Sequence, residues 1–364
     1  MRAPPLPPPV ALPADPSVGI GVLGAGFIVD ECHLVAYRAS GLNVRAVASR
    51  RREQAEKVAL RHGIALATDD FSRVLDDTTV AVLDIAVPPM AQPELIREAC
   101  KRPHIRGILA QKPLAMDPVT ARDLVECCER AGKRLAVNQN MRHDHSVASL
   151  KTLLDSGLLG EPVLASIDMR AIPHWMPWAR DGRSLATYVM SIHHLDTFRY
   201  WLGNPERVLA SSRPDPRTGF THADGINLYI LEFPSGARAT SIDDVWAGPA
   251  REGVEPDIGI RWRVEGTEGL ATGTIGWPGW PARVPSTIDY ACKRLGGNWH
   301  RPRWPDAWFP DAFIGPMADL LVSLETGGAP SISGRDNLGT MALCEAVMTS
   351  AREHRVTSPA EWLG

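Results

Sequence analysis

In the N-terminal part of the chain, apolar residues fall into short unbroken runs separated by longer amphipathic stretches. The runs at 18–23, 44–48, 80–87, 105–110 and 135–138 have strand length and end in turn residues, as strands buried on both faces do. Between them, 28–39, 51–61, 93–100 and 117–131 show helical spacing, with Gly63 closing the second helix and Pro118 and Gly132 bracketing the last. This alternation predicts an α/β fold, a doubly wound parallel Rossmann sheet over 17–142. From 143 to 364 the pattern changes. Strand-like runs at 163–169, 207–212, 227–233, 238–242, 260–265 and 271–275 are separated by Gly, Pro and Asp, as hairpins require. A late helix at 341–353 is expected to pack back on the body. Residues 1–16 are proline-rich, lack the apolar core of a signal peptide, and read as an extended arm.

Composition narrows the possibilities. The 364 residues suit two domains, and a net charge of -3 gives no reason to expect nucleic acid or an anionic membrane as partner. No apolar run approaches the roughly 20 residues of a membrane span. The six cysteines include no C-x-x-C pair and read as reduced, mostly buried thiols of a cytoplasmic protein. All eleven tryptophans lie at or beyond Trp175. Aromatic enrichment there suits a carbohydrate-facing surface, and core packing is the competing reading.

Ligands of doubly wound sheets bind beyond the carboxyl ends of the strands. After the first strand comes Gly24-Ala25-Gly26-Phe27-Ile28-Val29. Gly24 permits the tight turn, Gly26 lets the backbone approach a pyrophosphate, and Phe27 and Ile28 open the helix whose N-terminus faces the phosphates. Val29 stands where the third glycine or alanine of a dinucleotide fingerprint is expected. The second strand ends Ala48-Ser49-Arg50-Arg51-Arg52, without the usual ribose-binding acid. Ser49 and Arg50 can take a 2′-phosphate, or the arginines simply begin a solvated helix, so the cofactor is NAD or NADP. Val87 and Pro88, then Gln111 and Lys112, leave two further strand ends and join the cofactor-binding set.

These residues resemble the Gfo/Idh/MocA family of oxidoreductases. The resemblance is carried by the glycine loop, by Gln111-Lys112-Pro113 in place of an E-K-P signature, and by His193-x-x-Asp196-x-x-Arg199-Tyr200-Trp201-Leu202-Gly203. It implies a C-terminal α+β domain on an open, mainly antiparallel sheet, and catalysis by Lys112 and His193. Lys112 polarises the substrate hydroxyl and His193, whose free pKa lies near neutrality, accepts its proton. A surface lysine and a structural histidine are the plain alternatives. Two carboxylates common in the family are missing: Gln111 replaces the signature glutamate, and Val189 stands four residues before His193, with Tyr188, Asp181 and His174 near enough in sequence to substitute.

The segment 168–180 is dense in Arg, Trp and Pro, either a sugar- and anion-binding loop or a loop with core aromatics. His174, Trp175 and Trp178 there are candidate substrate contacts, together with Arg142, Tyr188 and His194. Asp243 and Asp244 are strand neighbours facing opposite sides, hence not a catalytic pair. No metal-ligand cluster stands out. The expected function is nicotinamide-dependent oxidoreduction at a ring hydroxyl of a sugar, sugar acid or glycoside, the hydride moving to or from the carbon that bears it. The alternative is an NAD-dependent glycosidase working through oxidation, elimination, hydration and reduction, on an anionic glycoside such as a sulfoquinovoside. A redox-silent sugar sensor is a third reading. A homo-oligomer through the open face of the C-terminal sheet is expected.

Overall fold

A computed structural model describes residues 4–170, 184–245, 257–277 and 281–363. The chain forms two compact units: Pro9–Asn140 with Pro310–Leu338, and Met141–Phe309 with Gly339–Gly364 and Met1–Pro8.

The first unit is the doubly wound sheet. Its elements are β1 (Ile20–Leu23), α1 (π-wound over Val29–His33, α-helical over Leu34–Ala39), β2 (Val44–Ala48), α2 (Arg52–His62), β3 (Leu66–Thr68), α3 (Phe71–Leu75), β4 (Val82–Ile85), α4 (Gln92–Cys100), β5 (Gly107–Ala110), α5 (Pro118–Arg130) and β6 (Arg134–Val137). The six strands run in the order β3-β2-β1-β4-β5-β6, all parallel, so the order reverses between β1 and β4. Local chemistry sets the boundaries. Asp70 and Asp117 cap α3 and α5 by accepting from Ser72 N and Thr120 N, and Gly63 ends α2 with φ +72°. The pair β3–α3 is not apparent in the hydrophobic pattern, because three and five residues are too few to show a period.

The same unit takes back a late piece of chain. The helix Ile314–Thr326 packs against β5 and β6. Gly107 makes room for it, since a β-carbon there would stand 3.1 Å from Leu324 and 3.3 Å from Leu320. Beside the edge strand β6, Val137 N donates to Ile332 O (2.9 Å). The division at 142 read from the pattern assigns these residues to the second domain while allowing late helices to pack back on the first, and the pattern does not show which stretch returns.

The second unit contains α6 (His145–Asp155), β7 (Pro162–Arg170), α7 (π-wound over Thr187–Ser191, α-helical over Ile192–Leu202), β8 (Arg207–Arg213), β9 (Ile226–Glu232), β10 (Arg238–Asp244), β11 (Gly259–Gly266), β12 (Gly269–Ile275), β13 (Thr287–Cys292) and β14 (Trp299–His300). The eight strands run β14-β13-β12-β11-β7-β10-β9-β8, antiparallel except for β7 beside β10. One face is covered by α6 and α7. Trp201 and Trp262 meet there at 5.4 Å, and each indole N–H finds an oxygen, Val147 O and Ser146 Oγ. Trp201, Trp262, Trp304 and Trp308 are buried, so these four are core residues rather than sugar platforms. On the opposite face Leu164, Leu209, Leu228 and Ile230 remain exposed. All six cysteines are free and four are buried. Cys100 lies 3.6 Å from Cys128, whose thiol hydrogen bond draws the Cys100 pKa down to about 6.

Candidate active site

The glycine loop follows β1 at the point where the strand order reverses. Gly24 has φ +123°, and a β-carbon there would lie 2.2 Å from Ala86 O, so no other residue fits. Gly26 is different: nothing lies within 4 Å of the position its β-carbon would take. The protein itself therefore tolerates a side chain at Gly26, and the open space in front of the helix start is of the kind a pyrophosphate needs. Gln54 Nε2 steadies the loop by donating to Ala25 O (3.0 Å). At the end of β2, Ser49 Oγ accepts from Arg51 N (3.3 Å), and Arg50 is exposed. Phe27, Ile28, Val87 and Pro88 are half-buried at the ends of β1 and β4. These residues fit a dinucleotide: glycine where backbone must come close, an amide-rich helix start, and hydrogen-bonding side chains where the ribose belongs.

Two strands away in the same sheet, β5 ends in Gln111-Lys112-Pro113, with a cis peptide before Pro113. Gln111 is not a carboxylate, and its neighbours explain why an amide fits. The Gln111 Oε1 accepts from Lys112 N (3.1 Å), which turns its Nε2 toward His33 Nε2 (3.2 Å). Asn138 Nδ2 reaches the same nitrogen at 3.0 Å. Two amide donors on Nε2 make that nitrogen the acceptor, and Nδ1 carries the proton, donated to Asp84 Oδ2 at 2.6 Å. Tyr37 donates to the same carboxylate oxygen (2.8 Å), and burial, followed by the charge of Asp84, pushes the Tyr37 phenol well above its ordinary pKa. His33, Tyr37 and Asp84 are all buried. The sequence reading missed this group, although an aspartate within the apolar run 80–87 was a signal that a buried partner must exist.

In the second unit, α7 carries His193. Asp224 fixes the start of that helix, accepting from Ser184 Oγ (2.7 Å), Ala186 N (3.2 Å), Thr187 N (2.9 Å) and Leu185 N. The first turn, Thr187–Ser191, is π-wound, with i→i+5 in place of i→i+4 hydrogen bonds. The Tyr188 hydroxyl donates to Glu345 Oε1 (3.1 Å). His193 is buried, with its ring edge-on to Trp308 at 5.3 Å.

Two of the expected substrate contacts, Arg142 and His194, have carboxylate partners inside this unit. Arg142 is buried and forms a bidentate pair with Asp196, Nε to Oδ2 at 2.6 Å and Nη2 to Oδ1 at 2.7 Å. Thr340 also donates to Asp196 (2.6 Å) and accepts from Arg199 (2.7 Å). The aspartate and arginine of the H-x-x-D-x-x-R pattern thus clamp the helix in place. His194 has no exposed surface, and its Nδ1 bonds Asp243 Oδ1 at 2.8 Å. Burial would raise the Asp243 pKa, but His194 and nearby hydroxyls hold it below the usual carboxylate range. Both pairings follow one rule: a buried charge or imidazole is paired within the protein. His174, Trp175, Trp178 and Asp181 lie outside the described residues.

A glycine-bordered turn at the reversal of a parallel sheet, with a strand-end lysine in the same sheet, defines an NAD-binding oxidoreductase of Rossmann type. Residues 18–139 match the profile of an oxidoreductase family with an NAD-binding Rossmann fold, and 147–272 match the GFO/IDH/MocA C-terminal domain. The chain belongs to the Gfo/Idh/MocA family. It is 27% identical over 342 residues to D-apiose dehydrogenase of Rhizobium rhizogenes, covering 92% of this chain and 95% of that one. It is 32% identical over 205 residues to inositol 2-dehydrogenase of Streptomyces avermitilis, covering 55% and 57%. An oxidoreductase of Agrobacterium radiobacter, solved with NAD+, L-tartaric acid and magnesium, superposes with a TM-score of 0.81 at 21% identity, covering 95% of this chain and 99% of that one. The glycosidase alternative finds no support in these relatives.

Proposed function

We propose that the protein transfers hydride between NAD and a secondary hydroxyl carbon of a sugar, sugar acid or polyol. The observation that carries the reading is the strand-end lysine, held at the end of β5 in the same sheet as the glycine loop. When bound, NAD+ supplies the hydride acceptor. Lys112 hydrogen-bonds the substrate oxygen and stabilises developing alkoxide charge, and His193 takes the hydroxyl proton. Tyr188 is kept as a substrate contact, and the sugar class is supported by the apiose and inositol dehydrogenase relatives. Ser49 and Arg50 remain the residues that decide between NAD and NADP.

The test is turnover of a panel of sugars and polyols with NAD+ and NADP+ side by side. Lys112→Ala and His193→Ala are each expected to lower kcat by roughly 10²–10⁴ while dinucleotide affinity changes little. Near-normal turnover in both variants would refute the assignment.

The protein acts in the cytoplasm in this reading, and no described helix is long and apolar enough to cross a membrane. It forms a homo-oligomer through the open sheet face, where Leu228 and Ile230 are 44% and 46% exposed. A monomer at micromolar concentration in sedimentation velocity would overturn that.

A further inference from the structure

We propose that Gln92 is the positioning residue of Lys112. The inference rests on the reading of Lys112 as the group that polarises the substrate oxygen. Gln92 is the first residue of α4, and its side chain has no exposed surface. Its carboxamide crosses to the end of β5. Its Oε1 accepts from Gln111 N at 2.7 Å, and its Nε2 donates to Pro113 O at 2.9 Å. These two bonds straddle Lys112, one on the residue before it and one on the residue after.

The chemistry of the partners fixes the orientation of the amide. An N–H can be met only by an acceptor and a carbonyl only by a donor, so the group between them must carry one of each. Gln111 N also reaches Ile85 O at 3.1 Å, the last step of the sheet ladder, whereas Pro113 O lies beyond the ladder. From the other side, Gln111 Oε1 accepts from Lys112 N. The lysine backbone is therefore held before, at and after the residue, and the direction of its side chain is set by groups that need not touch substrate. A leucine at 92 fills the volume and makes neither bond. A glutamate at 92 accepts from Gln111 N in either form but donates to Pro113 O only when protonated.

The experiment compares wild type with Gln92→Leu, Gln92→Glu and Lys112→Ala. Steady-state kinetics use the sugar that the wild type oxidises fastest, and NAD+ affinity is measured by titration. In NAD-free protein, the rate of acetylation of Lys112 by acetic anhydride is measured against exposed Lys57 by peptide mass spectrometry. Gln92→Leu is expected to lower kcat about 10- to 100-fold, with KM and NAD+ affinity within about twofold, because misplacement of a reacting group acts on the chemical step. Its relative acetylation rate at Lys112 should change at least about threefold, the scale of one weak hydrogen bond. The kcat deficit of Gln92→Glu should shrink as pH falls through the range where a buried carboxyl protonates, while that of Gln92→Leu stays constant.

Wild-type kcat and labelling in both Gln92 variants would overturn the proposal. So would losses confined to KM and NAD+ affinity, or two variants with the same pH profile. If Gln92→Leu does not fold, the near-isosteric Gln92→Glu decides by its pH profile. Normal turnover in Lys112→Ala would defeat the catalytic reading instead, and the labelling of Lys112, read without turnover, would then decide the brace alone.

Discussion

Each unit of the molecule buries one histidine against a strand aspartate, and the two pairs are built alike on one side only. His33 bonds Asp84 of β4, and His194 bonds Asp243 of β10, in both cases through Nδ1. In both, a hydroxyl joins the same carboxylate oxygen, Tyr37 in the first and Ser241 in the second. The difference lies at Nε2. On His33 that nitrogen takes two amide donors, Gln111 and Asn138, whereas on His194 it has no hydrogen-bond partner among the described residues. The first pair is a junction that links three strand ends. The second anchors one helix to one strand. A buried His–Asp contact therefore says little by itself; what the far nitrogen meets decides whether it transmits position or only holds.

That distinction predicts unequal costs. His33→Leu removes a donor from Asp84 and an acceptor from two amides, three disrupted groups at about 1–3 kcal/mol each. It should lower unfolding free energy by about 3 kcal/mol or more, read from chemical denaturation. His194→Leu disrupts mainly the Asp243 side and should cost about 1–3 kcal/mol. Equal costs would erase the contrast. A smaller effect sharpens it from the other direction. Asp224→Ala strips the start of α7 of its acceptor and should cost about 1–2 kcal/mol, the upper range for a lost helix cap. Because Asp224 belongs to the second unit, NAD+ affinity should be unchanged in titration while KM or kcat for sugar worsens. Weakened NAD+ binding in Asp224→Ala would show that the two units are not separable in this way.

The parts of this arrangement that could be read from sequence are those governed by local rules. The β-α alternation, Gly24 and Gly26, and the Gln111-Lys112-Pro113 strand end all follow from runs, turns and spacing. The replacement of glutamate by Gln111 was visible too, but its reason was not, because His33 lies 78 positions away. Gln92 sat unremarked between Ala91 and Pro93 at a helix start, where a polar residue needs no explanation. The internal partners of Arg142 and His194 were hidden for a related reason: Asp196 and Asp243 lie 54 and 49 positions away. The π-wound turn Thr187–Ser191 was not legible either, because five residues are too few to show a period.

The return of Pro310–Leu338 to the first unit carries a consequence for how the protein is made. As the polypeptide emerges from the ribosome, β1 to β6 are all available early, but the helix that covers Gly107 and the residue bonded to Val137 follow only after the other sheet. The nascent dinucleotide fold must wait with β5 and β6 covered by α4 and α5 alone while the other sheet is synthesised. The half of the protein that starts first is finished among the last, and it cannot be lifted out as a contiguous cassette for grafting onto another enzyme.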